Sequence, residues 1–226
     1  MIRLIYKTLC KFLLAMAVAV PLIPHPASAH PHVWVDTRAE VAFDDQNRVS
    51  AVQHSWTFDE AFSVYVIQGL DENGDGVYTR EELSSLAQIN VESLADFAFF
   101  TFMGVEEATV DFTEPRDYWL DYDPKKSRLT LNFTLPLKKP ALVIGDLVLE
   151  IYDPEAFVAF SVNETDSIKL ASGAPKNCGL EVKPAEEMDD AFAAALAEIP
   201  SDQRQVPDEF FSITSKLSNS AVIRCT

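Results

Sequence analysis

The stretch VWVDTRAEVAFDDQNRVSAVQHSWTF, Val33 to Phe58, decides the fold. Val33 to Phe43 is rich in the residues that favour extended backbone, and extended character resumes from Arg48 to Thr57. Between them Asp44, Asp45, Gln46 and Asn47 supply side chains that bond their own backbone and tolerate tight turns. The expected structure is a β-hairpin.

Downstream the period changes. Phe58, Ala61, Phe62, Tyr65, Val66 and Leu70 fall near one face of a helix, which predicts a helix over Phe58 to Leu70. A second helix is expected from about Arg80 to about Phe97, so that residues 58–97 form a helical hairpin. The region 98–226 reads as mainly extended: FAFFTFM, ATVDF, DYWLDYD, RLTLNFTLPL, LVLEIYD, FVAFSV, SIKLA and GLEVK are short, rich in β-branched and aromatic residues, and bounded by Pro, Gly, Asp or Asn. DPKKS, Asp123 to Ser127, is a turn between two of them. Two further helical segments, EEMDDAFAAALAEI and DEFFSITSKLS, precede a last strand, AVIRC.

Ahead of the hairpin, residues 1–29 read as an export leader. Arg3, Lys7 and Lys11 give the positive start, FLLAMAVAV the apolar core, and Ala27, Ser28 and Ala29 a small-residue cleavage site. A retained membrane anchor is the alternative, but Pro21 and Pro24 break a run already short of the ~20 residues a span needs. Cleavage leaves residues 30–226 as a single periplasmic domain beginning at His30, large enough for a substantial core.

The whole chain of 226 residues carries 18 Lys+Arg against 35 Asp+Glu, a net charge of −17, and losing the leader removes three more positive charges. Such acidity disfavours nucleic acid and anionic membrane surfaces as partners and attracts cations. Cys178 and Cys225 are the two cysteines beyond the leader, and an even count in an exported chain points to a disulfide. The alternative, a two-thiolate metal site, requires the pair to stay reduced.

DENGDGVYTREE, Asp71 to Glu82, carries the spacing of the twelve-residue calcium loop. Asp71, Asn73 and Asp75 stand at positions 1, 3 and 5, Gly76 at 6 and Glu82 at 12; Val77 offers a backbone carbonyl and Thr79 holds the position that often acts through a water. A hard cation requires six to eight oxygens, and the glycine permits the sharp bend around it. Tyr78 takes the apolar position that packs inward. A single such loop favours a structural ion over a signalling switch. The fold class is therefore α+β: mainly antiparallel sheet or sandwich, with an inserted EF-hand-like helix–loop–helix and short C-terminal helices.

The opening residues suggest a second metal. Cleavage after Ala29 gives His30 a free α-amine beside its imidazole, and His32 adds another ring. Pro31 has no amide proton to lose, which blocks a chelate built on backbone nitrogens up to His32. His54 is expected to lie on the partner strand roughly opposite the opening residues, completing a site of His30, His32 and His54. Asp36 or Asp59 can supply a carboxylate. Imidazole suits zinc, nickel, cobalt and copper, and the residues do not choose among them.

HPHVWVD after a leader, WTFDEAFS, GLDENGDGVYTREEL, DYWLDYD, LTLNFTLPL, EIYDPEAFVAF and the late Cys178 and Cys225 together resemble the bacterial periplasmic family labelled domain of unknown function 1007. The resemblance covers the chain beyond the leader. It implies an uncharacterised transport-system component, because genes of this family often stand beside nickel/cobalt-type permeases, and a membrane metal permease or transporter is the partner it suggests. The family's opening histidines map onto His30 and His32, and its loop onto Asp71 to Glu82. The function expected is a non-enzymatic periplasmic accessory protein that captures, buffers or delivers a divalent transition metal, with calcium holding the helical hairpin. The alternatives are a copper redox enzyme using an N-terminal histidine brace and a calcium-stabilised binding or adhesion module. No catalytic Ser/His/Asp or Cys/His constellation is evident.

Overall fold

A computed structural model describes residues 32–105, 108–162, 166–186, 191, 194 and 217–226. The leader, His30 and most of the two C-terminal helical segments lie outside the described residues.

The hairpin forms as read. Strands β1 (Val33–Phe43) and β2 (Val49–Phe58) pair antiparallel. The turn between them is organised by Asp44, whose carboxylate accepts the amides of Gln46 and Arg48 at 2.9 Å each. Asn47 takes a φ of 59°, a left-handed conformation that Asn tolerates better than most residues. One face of this hairpin is buried: Val35, Thr37, Ala39 and Val41 on β1, with Val52, His54, Trp56 and Phe58 on β2.

The first sheet grows outward from β2. Strand β6 (Arg128–Ala141) pairs antiparallel with β2 on one side and with β5 (Arg116–Asp123) on the other. Leu129, Leu131, Phe133, Leu135 and Leu137 of β6 are buried at every second position, so one face of the strand enters the core. At the other edge β1 pairs with β8 (Val158–Ser161) and β9 (Ile168–Leu170), and both pairings are parallel. The pairing is therefore mainly antiparallel, with this edge the exception. The chain reaches it from the second sheet, so strands entering beside β1 run in its direction.

The second sheet has the order β10–β11–β7–β3–β4. It contains β3 (Thr101–Val105), the short β4 (Ala108–Thr109), β7 (Leu147–Ile151), β10 (Cys178–Lys183) and β11 (Asn219–Cys225). Met103, Leu147, Leu149, Ile151, Ala221 and Ile223 from this sheet join the buried face of the hairpin in one hydrophobic cluster. Asn219, fully buried, ties the layers together. Its Nδ2 donates to the carbonyl of Phe160 on β8 at 2.8 Å and to that of Ile151 on β7 at 3.3 Å. Cys178 and Cys225 face each other across β10 and β11 and form a disulfide. The molecule is thus mostly sheet with few helices.

Both helices are shorter than the periodicity implied. Helix α1 spans Glu60–Val66, with Asp59 as its N-cap accepting the Phe62 amide at 2.9 Å. It ends before Gly69, whose φ of 81° turns the chain away. Helix α2 spans Ser84–Ser93; Arg80 to Leu83 form turns instead of its first residues. After α2 the chain tightens into a 3₁₀ stretch, Leu94–Phe100, that ends with Ala98, Phe99 and Phe100 in successive left-handed conformations at φ 49°, 57° and 47°. No helix among the described residues is long and apolar enough to cross a membrane.

Candidate functional site

Asp44 sets the hairpin register, and the register separates the histidines. Ala39 is the residue opposite His54, with Val35 opposite Phe58. His32 lies seven residues before Ala39, roughly 23 Å away at strand spacing. His54 is also on the buried face. It is 3% exposed, stacks on Phe133 with ring centroids 4.8 Å apart, meets Trp56 edge-on at 5.2 Å, and places Nε2 3.3 Å from the Thr101 hydroxyl. Burial pushes its pKa down to about 3, so the ring is neutral at neutral pH. The expected grouping of His54 with the opening histidines is corrected: His54 is a core residue.

His32, by contrast, is exposed and held in place at the head of β1. Its amide donates to the Phe157 carbonyl at 2.9 Å, and its ring packs on that of Phe157 with centroids 4.6 Å apart. The turn that presents Phe157 is built by Asp153. This buried carboxylate accepts the amides of Glu155, Phe157 and Val158 at 2.9–3.0 Å. Covalent geometry keeps His30, two residues upstream, within about 7 Å of the His32 backbone.

The two nominated carboxylates have structural duties. Asp36 pairs with the Arg128 guanidinium at 2.6 Å, and Arg128 also donates to the carbonyls of Thr57 and Phe58. Asp59 caps α1 through one oxygen and accepts the Trp34 amide at 3.0 Å through the other. The sequence reading did not single out Asp153, whose carboxylate orders the turn that carries Phe157. Its signal was present in DPEAF, a run with Asx-turn chemistry directly before a strand.

The acidic loop is folded around its own carboxylates. Asp71 accepts the amides of Gly74 at 2.8 Å, Asp75 at 3.2 Å and Gly76 at 2.9 Å. Asn73 accepts the Asp75 amide and Asp75 the Val77 amide, each at 2.8 Å. Gly74 and Gly76 adopt φ of 71° and 78°, the bend that a side chain would strain. Glu82 accepts the Thr79 amide at 2.9 Å, the Thr79 hydroxyl at 2.8 Å and the Glu72 amide at 3.1 Å, bridging the two ends of the loop. The Thr79 amide, first among these donors, holds the Glu82 carboxyl below its usual pKa.

The exit of the loop is anchored on the first sheet. Tyr78 packs edge-on against Tyr122 of β5 at 5.0 Å. Arg80 forks onto Asp121 at 2.7 and 3.0 Å while its guanidinium lies over the Trp119 ring at 4.9 Å. The donor set of Asp71, Asn73, Asp75, Val77, Thr79 and Glu82 consists of oxygen alone, which fits a hard cation and excludes a soft one. Among the described residues no three His, Cys, Asp or Glu side chains stand together in a metal-holding group.

None of the curated proteins compared with this sequence matches it. A family model described as "Protein of unknown function (DUF1007)" matches residues 14–225. The match takes in every strand of both sheets, the acidic loop, His32 and the disulfide, and the chain belongs to that family.

Proposed function

We propose that this chain is a periplasmic accessory protein that binds a divalent transition metal at its processed N-terminus, for capture, buffering or delivery to a membrane metal transporter. One observation carries the reading. His32 is exposed at the head of β1 and fixed there by its amide bond to Phe157 and by the packing of the two rings. An imidazole held in this way, two residues from the amine and imidazole that leader cleavage would create on His30, loses little freedom when a metal arrives. With His54 in the core, the protein nitrogens of the site reduce to three, all from His30 and His32. They suit zinc, nickel, cobalt or copper.

Calcium has a separate place in this reading. It occupies the Asp71–Glu82 loop and stiffens the connection between α1 and α2, which Tyr78 and Arg80 pass on to the sheet. The glycine bends and the ring of amides around Asp71 support this assignment.

The test is isothermal titration of protein that starts at His30 with no preceding tag. One tight zinc, nickel or copper site, lost in His30→Ala, is the expected result. Unchanged affinity for all three metals in that variant would overturn the proposal.

A further inference from the structure

The acidic loop meets the first sheet at its edge strand, β5. Neighbouring strand residues point to opposite faces, so Tyr122 turns toward the core while Trp119 and Asp121 lie on the outer face. Tyr78 meets Tyr122 edge-on at 5.0 Å on the core side. Arg80 reaches the other side, where its Nε and Nη2 donate to the two oxygens of Asp121 at 2.7 and 3.0 Å. The exit of the loop therefore straddles β5.

These grips alternate with the cation donors. Val77, Thr79 and Glu82 hold positions 7, 9 and 12 of the loop, and Tyr78 and Arg80 stand at 8 and 10. Gripping both neighbours of Thr79 fixes its backbone. Thr79 in turn holds Glu82, donating to it through its amide at 2.9 Å and its hydroxyl at 2.8 Å.

A lone exposed ion pair contributes little, and the Arg80–Asp121 pair is exposed. Its setting strengthens it. The bond is a two-pronged fork, the guanidinium also lies 4.9 Å over the Trp119 ring, and Asp121 Oδ2 accepts the Trp119 indole N–H at 2.8 Å. Asn132 of β6 donates to the same oxygen at a longer 3.4 Å, and its Oδ1 accepts the Ser55 hydroxyl of β2 at 2.8 Å. The anchor of Arg80 is thus tied into three strands.

We propose that Arg80 is a positioning residue for the cation: with Tyr78 it seats Val77, Thr79 and Glu82 on β5, so that the ion meets three donors already placed. The inference rests on the assignment of calcium to this loop. Seating the donors in advance raises affinity because less freedom is lost on binding. Arg80 does this although it supplies no ligand and its charge repels a cation.

That opposition of sign gives the test. Calcium is titrated calorimetrically into protein starting at His30, with circular dichroism confirming the fold of each variant. On charge alone, Arg80→Ala would bind calcium more tightly; loss of the anchor should instead weaken binding roughly three-fold or more. Arg80→Lys keeps the charge but cannot fork onto a carboxylate, and should also bind more weakly. Arg116→Ala removes an equal charge from β5 away from the loop, and should change the affinity by less than about two-fold. In an Asp121→Ala background, Arg80→Ala should have little further effect, because the anchor is already gone. Equal or tighter binding by folded Arg80→Ala, wild-type affinity in Arg80→Lys, an equal loss in Arg116→Ala, or an undiminished Arg80→Ala effect in the Asp121→Ala background would overturn the inference while leaving the calcium assignment standing. A wild-type protein that gives no calcium isotherm would overturn both.

Discussion

His54 stacks on Phe133 at 4.8 Å, the two rings lying side by side on neighbouring strands inside the core. This contact makes the ring part of the folding energetics and removes it from surface chemistry.

Stability should therefore fall on acidification in a way that depends on His54. Unfolded, the ring takes a proton near its ordinary value of 6.5; folded, burial holds it neutral down to about 3. The depressed value means that its contribution is fully present above pH 6.5 and is lost as pH falls through that window. Between pH 7 and pH 4.5 the loss should be on the order of 2 kcal/mol. Urea unfolding of wild type and His54→Leu at both pH values checks this: the wild-type midpoint should drop relative to the variant's.

The same substitution should leave transition-metal binding untouched. His32→Ala, in protein with an authentic start at His30, should weaken zinc or nickel binding by at least about ten-fold, whereas His54→Leu should match the wild type. A loss of affinity in a folded His54→Leu protein would argue for a different ligand set.

Calcium should raise the thermal midpoint, and Glu82→Gln should remove most of that response by deleting a charge and a bidentate ligand. A drop in calcium affinity of roughly ten-fold or more is expected by titration. Glu82 is held below its ordinary pKa of 4.5 by Thr79. The network it makes is therefore present above pH 4.5 and is lost as pH falls below it, and calcium affinity measured at pH 6 should equal that at pH 7.5.

Replacing both Cys178 and Cys225 by serine should lower stability by on the order of 4 kcal/mol in the chain-entropy account, given their separation of 47 residues. Guanidinium unfolding measures it, and the two strands should remain paired under native conditions because six residue pairs join them.

Much of the architecture was legible because local chemistry and long-range pairing agreed. Asp44 to Asn47 read as a turn and formed one; Asp123 to Ser127 did the same, with the Asp123 carboxylate accepting the Lys125 amide at 2.9 Å. Cys178 and Cys225 read as a disulfide pair and occupy facing, bonded positions on β10 and β11. What misled was counting, since a turn centred near Gln46 already implies that His54 meets residues near Ala39 and not His32. Other features had no local signal. The parallel edge at β8 and β9 depends on where the chain returns from the second sheet, and apolar FAFF reads as strand although Ala98 to Phe100 turn left-handed. The helices fell short because Asp59 and Gly69 bound the first and Thr79 with Glu82 delays the second, and these local bonds outweigh apolar periodicity.

The pairing of Lys183 with Ser220, just inside the disulfide, gives the chain between them a particular standing. Its two ends sit on adjacent strands, β10 and β11. A protease cut between Lys183 and Ser218 would divide the polypeptide yet leave β11 paired with both β7 and β10 and covalently held to the rest through Cys178. The last strand, which supplies Asn219 to both layers, would stay with a molecule already in two pieces.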